Sequence, residues 1–555
     1  MKLSSIIVTV LAAIAALFLG YPIAALIQHG FNEDAWPVSV LTLDGWFTSF
    51  EYEPLKPFRI YLDMFSAQSP YFAEGGWFYA IFIFSFPLIV WILFSQRVKG
   101  PQRDPNAIYG DARWANSRER KKMKTGLELG LDRATGRPVR VFVEGNLISV
   151  APPRMGKTSG LIIPNLVGAD DNAWFGPAVV IDPKGDIYSA VAGRRRDLGR
   201  NVRCLDPMGI AGGVDKWNPL VGINPNDTLY MQRVAKAILP PNEGGENSYF
   251  HVRSVDVIVA AIEVAIKAGT PTPVAVSTLI SQTAAFAAGL KGLSSQTAIK
   301  VQELLLMDPR TRDPILSTAT QAFQWCDDER MQKLTSESTF KLSDICDSET
   351  DIFLTLPTED IRTVDAFVRW FLMDLFAVIR RKDPVQRVVI FIDEASALGK
   401  FKDIVVAFGE LPGHGASIWS FWQDRSQIQS IYGEQDAQTL LRTAEFATLS
   451  DPSTVDPDEL EWWSKTLGNY TLLIESKQMS GDSKKMGSTS IIPQAVRLIT
   501  GEALAQLPSS EIIVFSSSKG YSKRPVLLNK SHAFVERRLL KFVSKTTKPI
   551  FTSNL

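Results

Sequence analysis

The sequence predicts an α/β domain with an all-α insertion, preceded by a two-helix transmembrane anchor. Three observations point there. Two long uncharged apolar runs lie near the N-terminus, several short apolar segments end in polar or acidic turns, and residues 228–340 exchange strand patterning for helical spacing.

At 555 residues the chain exceeds one ordinary hydrophobic core, which predicts two or three domains. Its 59 basic residues balance 59 acidic ones, which excludes a protein that coats nucleic acid over its whole surface; any DNA contact must be local. The three cysteines, Cys204, Cys326 and Cys346, form no CxxC pair and have no companion histidine cluster. Neither a zinc site nor a disulfide framework is indicated, and the bulk of the chain is expected in a reducing cytoplasm.

Residues 3–27 carry no charge, and their length matches the ~20 residues a helix needs to cross a bilayer. Residues 77–94 are also uncharged, aromatic at their outer end, and followed by Arg97 and Lys99. Together they predict a hairpin over residues 1–96. The loop between them, residues 28–76, holds seven acids against Lys56 and Arg59, while the basic run 118–124 follows the second span. Both termini are therefore expected in the cytoplasm and the loop in the periplasm, with the chain in a bacterial inner membrane. The competing readings are a cleaved signal peptide and a buried core helix. The first run lacks a small-x-small cleavage site, and Pro87 would kink a soluble helix. The run 118–124 suits contact with anionic lipid and, equally, a solvated helix face.

Residues 146–150 (NLISV) read as a buried strand and residues 159–164 as the start of a helix. Between them lies a candidate phosphate loop, Ala151, Pro152, Pro153, Arg154, Met155, Gly156, Lys157 and Thr158. Gly156 permits the turn that aims backbone N–H groups at phosphate oxygens, Lys157 would reach the β and γ phosphates, and Thr158 would hold Mg2+. Ala151 stands where the usual pattern has its first glycine. ATP and Mg2+ are the cofactors this loop implies.

Its partner is residues 387–394, an apolar strand ending in two acids. Asp393 would take the metal and Glu394 would polarise the attacking water. A third strand, residues 417–423, ends in Gln423, placed to sense the γ-phosphate or orient water. Residues 179–186 imitate the acidic strand but lack the adjacent second acid, so Asp182, Lys184 and Asp186 are read as a neighbouring loop at the strand ends.

In this order the pieces resemble the TraG/TraD family of type IV secretion coupling proteins. The resemblance covers nearly the whole chain: the two-span anchor, YGDARWA from Tyr109, APPRMGKTSG, VVIDPKGD, the LDP of residues 205–207, the WNPL of residues 217–220, VVIFIDEASAL and the WQD strand end. It implies a RecA-like P-loop NTPase domain over residues 97–227 and 341–555, an all-α domain over 228–340, and a homo-hexamer at the inner membrane. The implied partners are type IV secretion channel components and relaxase-bound DNA or effector proteins. The chain departs from the family where a basic residue often reaches a neighbour's nucleotide: its glycine-rich turn carries His414 instead, with Arg425 and Arg442 as other candidates.

The expected function is a coupling ATPase that drives or licenses export. Two alternatives stand beside it. A membrane-anchored chromosome-partition DNA translocase usually brings a long linker and a DNA-reading terminal domain, neither visible here. A nucleotide-binding docking platform without motor activity is opposed by intact Lys157, Asp393 and Glu394. For DNA, Arg194, Arg195 and Arg196 are candidate phosphate contacts near a pore, the other reading being a solvated helix end.

Overall fold

The computed structural model describes residues 8–16, 84–92, 102–240, 248–452, 456–477 and 489–544. Residues 8–16 and 84–92 are helical, while the rest of both predicted spans and the loop 28–76 lie outside the described residues. Among the described residues no single helix is long and apolar enough to cross a membrane.

In chain order the strands are β1 (Gln102–Arg103), β2 (Leu127–Asp132), β3 (Pro138–Val141), β4 (Asn146–Val150), β5 (Ala178–Asp182), β6 (Asn201–Leu205) and β7 (Thr350–Thr355). They continue with β8 (Val388–Ile392), β9 (Ala416–Trp422), β10 (Ala444–Leu449), β11 (Asn469–Lys477), β12 (Thr489–Arg497), β13 (Glu511–Ser516) and β14 (Val526–Asn529). The chain divides into two compact units, residues 1–106 with 472–494, and residues 107–471 with 495–555. In the first, Gln102 of β1 pairs antiparallel with Leu473 of β11 in a three-stranded sheet ordered β1-β11-β12. The described residues 472–477 and 489–494, expected within the nucleotide-binding domain, fall in this unit, where Leu472 and Leu473 pair with β1.

The second unit is built on an eleven-stranded sheet ordered β3-β2-β14-β13-β10-β4-β9-β8-β5-β7-β6. From β10 to β6 the neighbours all run parallel, and β13, β14, β2 and β3 extend the sheet antiparallel. The central strands β4, β5, β8 and β9 are buried at every residue, as parallel strands covered on both faces must be; this is why they read as unbroken apolar runs.

From Thr228 to Asp347 the described chain is helical and contains no strand. It is not a separate body: its helix Ser248–Lys267 shares one continuous apolar core with the face of the sheet formed by Ile148, Val179 and Ile390. Entry and exit of this segment lie side by side. Trp217 N–H donates to the Leu334 carbonyl (2.9 Å), Thr339 N–H to the Lys216 carbonyl (3.0 Å), and Asn218 N–H to the Ser338 hydroxyl (2.9 Å). Short closure of this kind lets a long insertion leave the sheet register undisturbed.

One buried ion pair pins the parallel edge. Arg195, on the helix Asp186–Asp197, donates Nε to Asp351 Oδ2 (2.7 Å) and Nη2 to Oδ1 (2.8 Å) and to the Gly176 carbonyl (2.7 Å). Asp351 of β7 also accepts from Ala178 N–H (2.9 Å), and both charged side chains are fully buried. Removing one partner strands the other charge in the core. Arg195→Ala or Asp351→Leu should each cost about 3–5 kcal/mol in denaturant unfolding, and the double replacement Arg195→Met with Asp351→Leu should be more stable than either single one.

Candidate functional site

The C-terminal ends of five adjacent parallel strands, β5, β8, β9, β4 and β10, lie within two residues of one another: Val150 is opposite both Trp422 and Leu449, while Ile392, the last residue of β8, is opposite Ile181 and Ser420. Whatever follows each strand therefore meets at one rim, where open α/β sheets bind ligands. After β4 comes the loop 151–158, after β9 Gln423, after β8 Asp393 and Glu394, and after β5 the loop that begins at Asp182.

The loop turns through positive φ at Arg154 (66°) and Gly156 (76°). At Gly156 a Cβ would have space, the nearest atom being Ser159 Oγ at 3.5 Å, so the backbone angle alone demands glycine. The helix that follows opens as a π-type turn, Thr158–Ile162, before the α-helical turn Ile163–Leu166; Ile163 N–H bonds to the Thr158 carbonyl. An ordinary helix was expected from residue 159. Pro164 has no N–H for the Gly160 carbonyl, so the ladder slips by one residue there. Gly160 is needed for a different reason: a Cβ there would lie 2.9 Å from the Ser531 carbonyl.

The predicted site residues come together. Thr158 Oγ1 donates to Asp393 Oδ2 at 2.9 Å across a separation of 235 residues. Gln423 Nε2 donates to Glu394 Oε1 at 3.2 Å, and Ser396 Oγ donates to the same oxygen at 2.6 Å. Lys157 Nζ donates to the Ala151 carbonyl (2.6 Å) and the Trp422 carbonyl (3.3 Å), which binds the lysine to the ends of β4 and β9. Pro152, Pro153, Arg154 and Met155 form the outer arc, with Pro153 and Arg154 exposed. Glu394 sits at φ 81°, ψ 63°, a left-handed conformation costing a non-glycine residue on the order of 1–3 kcal/mol.

Burial dominates the electrostatics. It pushes Asp393 above the ordinary carboxylate range, against the Thr158 hydrogen bond and the charges of Lys184 and Lys157. Asp182, fully buried, is pushed up to about 7 by desolvation, opposed by N–H groups of Tyr188 and Lys184 and reinforced by Asp393. Lys157 is lowered by burial, while Glu394 and Asp393 pull it back up. A pocket with two buried carboxylates and one desolvated lysine favours a further cation and an anion bound together.

Lys530 was invisible in the sequence. It follows β14, lines the same narrow cleft as Gly156 and Lys157, and donates Nζ to the Met155 carbonyl at 3.0 Å across 375 residues. The segment behind it is docked firmly, with Ala533 N–H on the Ser159 carbonyl (2.9 Å) and Arg538 ion-paired with buried Glu128. No motif marks a lone lysine after a four-residue strand; only the topology brings it here.

Other candidates lie elsewhere. Arg194 caps the Val167 and Gly168 carbonyls, Arg195 is the buried partner of Asp351, and Arg196 donates to the Tyr188 hydroxyl, so this run is engaged within the fold and offers no basic patch. His414 pairs with Asp383 at 3.1 Å. Arg425 is held by Glu459 at 3.2 Å and lies over the Trp462 ring. Arg442 is exposed in the last turn of its helix.

A phosphate loop after one strand, two acids after the next strand but one, and an amide on the strand between define a RecA-like P-loop nucleotide-binding fold. The chain belongs to the type IV secretory system conjugative DNA transfer family, whose model matches residues 106–548. It is 25% identical over 407 residues to protein VirD4 of Rhizobium radiobacter, covering 70% of this chain and 57% of that protein. To the conjugal transfer protein TraG of Agrobacterium fabrum it is 26% identical over 386 residues, covering 65% of this chain and 56% of that protein. The chain thus spans less than three fifths of the length of these relatives. Its fold matches the plasmid coupling protein TrwB, solved in complex with ADP and Mg2+, at a TM-score of 0.58 and 17% identity, over 80% of this chain and 98% of that one.

Burial lowers Lys530 from the ordinary 10.5 to about 8. Below pH 8 both folded and unfolded chains carry its proton. Between about 8 and 10.5 the folded chain has released it while the unfolded chain retains it, so unfolding takes up a proton and stability rises with pH. Unfolding free energies measured from pH 7 to 10.5 should therefore shift in favour of the wild type relative to Lys530→Met, and level off beyond.

Proposed function

We propose that the chain is a Mg2+-dependent ATPase serving as the inner-membrane coupling protein of a type IV secretion system. It recruits relaxase-bound DNA or effector proteins and drives or licenses their export as a homo-hexamer. The observation that carries the reading is the hydrogen bond between Thr158 and Asp393, which joins the phosphate loop to the acidic strand end. Membership in a conjugative DNA transfer family favours this reading over a chromosome-partition motor.

The donors fit Mg2+. A threonine hydroxyl and a carboxylate are hard oxygen ligands, and buried Asp393 lacks a full counter-charge. Mg2+ keeps several waters and takes other ligands from phosphate, so one hydroxyl and one carboxylate are an ordinary protein contribution. When bound, Mg2+ would neutralise charge on the β and γ phosphates. In this reading the N–H groups of the loop 154–158 cradle phosphate, and Lys157 exchanges its two carbonyl partners for phosphate oxygens. Glu394, fixed by Ser396 and Gln423, holds the attacking water and accepts its proton. Gln423 bridges that carboxylate and the γ-phosphate, so nucleotide state changes the hydrogen bonding of a residue on the central strand edge.

The membrane topology rests on the uncharged runs at 3–27 and 77–94 and on the charge asymmetry around them. A reporter fused within residues 28–76 should be active only in the periplasm. For catalysis, ATP turnover by the full chain should fall about a hundredfold or more in Lys157→Ala and in Glu394→Gln. Glu394→Gln should keep nucleotide affinity, and Thr158→Val should raise the Mg2+ concentration needed for half-maximal turnover. Equal rates in the wild type and both catalytic variants would overturn the assignment.

A further inference from the structure

The balanced net charge hides one concentrated cationic site. A cavity of about 520 Å3 opens between the helix Thr228–Ile238, the helix Asp365–Arg381 and residues 400–403, far in sequence from the phosphate loop. Arg233 and Lys236 enter from the first helix, Arg380 and Arg381 from the second, and Lys400 and Lys402 from the third segment; Asp403 is the one acid among the lining residues. The floor is apolar, made by Met373, Phe376, Ala377 and Phe401; the Phe376 and Phe401 rings stack on each other at 6.4 Å and are themselves buried, which leaves Ala377 the more open of the four.

An ordinary explanation covers part of this. Lys236, Arg380 and Arg381 fall in the last turns of their helices, where cations offset the helix dipole. Dipole compensation does not require three separate elements to aim their cations into one concavity. Arg380 is 3.0 Å from Glu410, but among the described residues Arg233, Lys236, Arg381 and Lys402 have no carboxylate within ion-pair distance. Like charges gathered over a low-dielectric floor repel one another, and a polyanion relieves that repulsion.

We propose that this cavity binds the phosphodiester backbone of single-stranded nucleic acid, with a base turned inward against Ala377 and the aliphatic stems of the rim cations. A single strand can turn a base inward while its phosphates meet the rim; a duplex keeps its bases stacked and could meet only the rim cations. The nature of the anion follows from the DNA-transfer reading above, whereas the cavity and its charge do not depend on it. In the arginine run 194–196, Arg194 and Arg195 are engaged within the fold, which leaves Arg196 alone exposed.

The test is salt-dependent binding of a fluorescent 20-nucleotide single strand, and of its duplex, to the full chain and to a variant carrying Arg233→Gln, Lys236→Gln, Arg381→Gln and Lys402→Gln. Each phosphate contact contributes ~0.7 to the slope of log affinity against log salt for single strands, so the variant should lose about 2 to 3 in slope. Its affinity at low salt should fall at least about tenfold, and the preference for single strand should vanish. Lys402→Gln alone, on an exposed position, should lose about 0.7 in slope, and serves if the fourfold variant fails to fold. Binding of a fluorescent ADP analogue should be the same in every protein. Unchanged slope and affinity in the variants, or a wild type that prefers duplex or binds no oligonucleotide at low salt, would overturn the proposal. A wild type that binds the oligonucleotide but no ADP analogue would instead defeat the ATPase reading alone.

Discussion

The buried carboxylates at the ends of β5 and β8 set the terms for the rest of the site. Asp182 and Asp393 sit on neighbouring strands, with Asp393 N–H bonded to the Ile181 carbonyl, and both are desolvated. Two acids so placed cannot both be ionised cheaply, which is why burial raises both. The available compensation is partial. Thr158 donates one hydrogen bond to Asp393, and Lys157 sits near enough to be pulled upward by Glu394 and Asp393, yet its own donors point to backbone carbonyls. A site with this imbalance is electrostatically incomplete by itself, and a divalent cation arriving with a polyphosphate completes it on both sides at once.

That arrangement depends on strand alignment more than on any loop. Because β4 and β9 end level and β8 ends two residues earlier, a loop after the first, an amide after the second and two acids after the third lie within a few hydrogen bonds of one another. The strands can hold this register because they are buried on both faces, where a one-residue slip would move every side chain to the wrong layer. Polar groups inside the sheet reinforce it: Ser149 Oγ accepts from both Trp419 Nε1 and Thr448 Oγ1 at 2.8 Å, tying β4 to both of its neighbours. The helical insertion preserves the alignment by closing on itself at Trp217, Asn218, Ser338 and Thr339. Trp217 and Asn218, within the WNPL of the family resemblance, therefore serve the closure of the fold.

How legible each feature was in the sequence follows from how local its cause is. The strands at 146–150, 388–392 and 416–422 were readable because double burial writes itself as an apolar run. Gly156, Lys157, Thr158, Asp393, Glu394 and Gln423 were readable because each adjoins such a run. The π-type turn was not, since it arises from one missing N–H at Pro164 inside an otherwise ordinary helix pattern. Lys530 and the Arg195–Asp351 pair were hidden for a different reason: both are contacts between segments more than 150 residues apart, with nothing periodic on either side. The pairing of residues 102–103 with 472–473 was hidden likewise, because a two-residue edge strand has no pattern to read. For the arginine run 194–196 the sequence left a DNA contact and a solvated helix end both open, because charge in sequence says nothing about whether a carbonyl or carboxylate waits on the neighbouring element, as it does for Arg194 and Arg195.

Glu394 shows what the site demands of the backbone. A left-handed conformation is unfavourable for glutamate, and glycine or asparagine would occupy it at lower cost. The residue is held there by Ser396 and Gln423 from the side-chain end and by the helical turn 395–398 from the backbone end. If the position only needed to turn the chain out of β8, a glycine would be the less strained solution. What an ordinary turn does not require is a carboxylate that leaves the strand beside Asp393 and yet reaches back toward the end of β9. Left-handed φ achieves that by swinging Cβ out of the line of the strand, so the strain is the geometric consequence of placing two adjacent acids in two different roles.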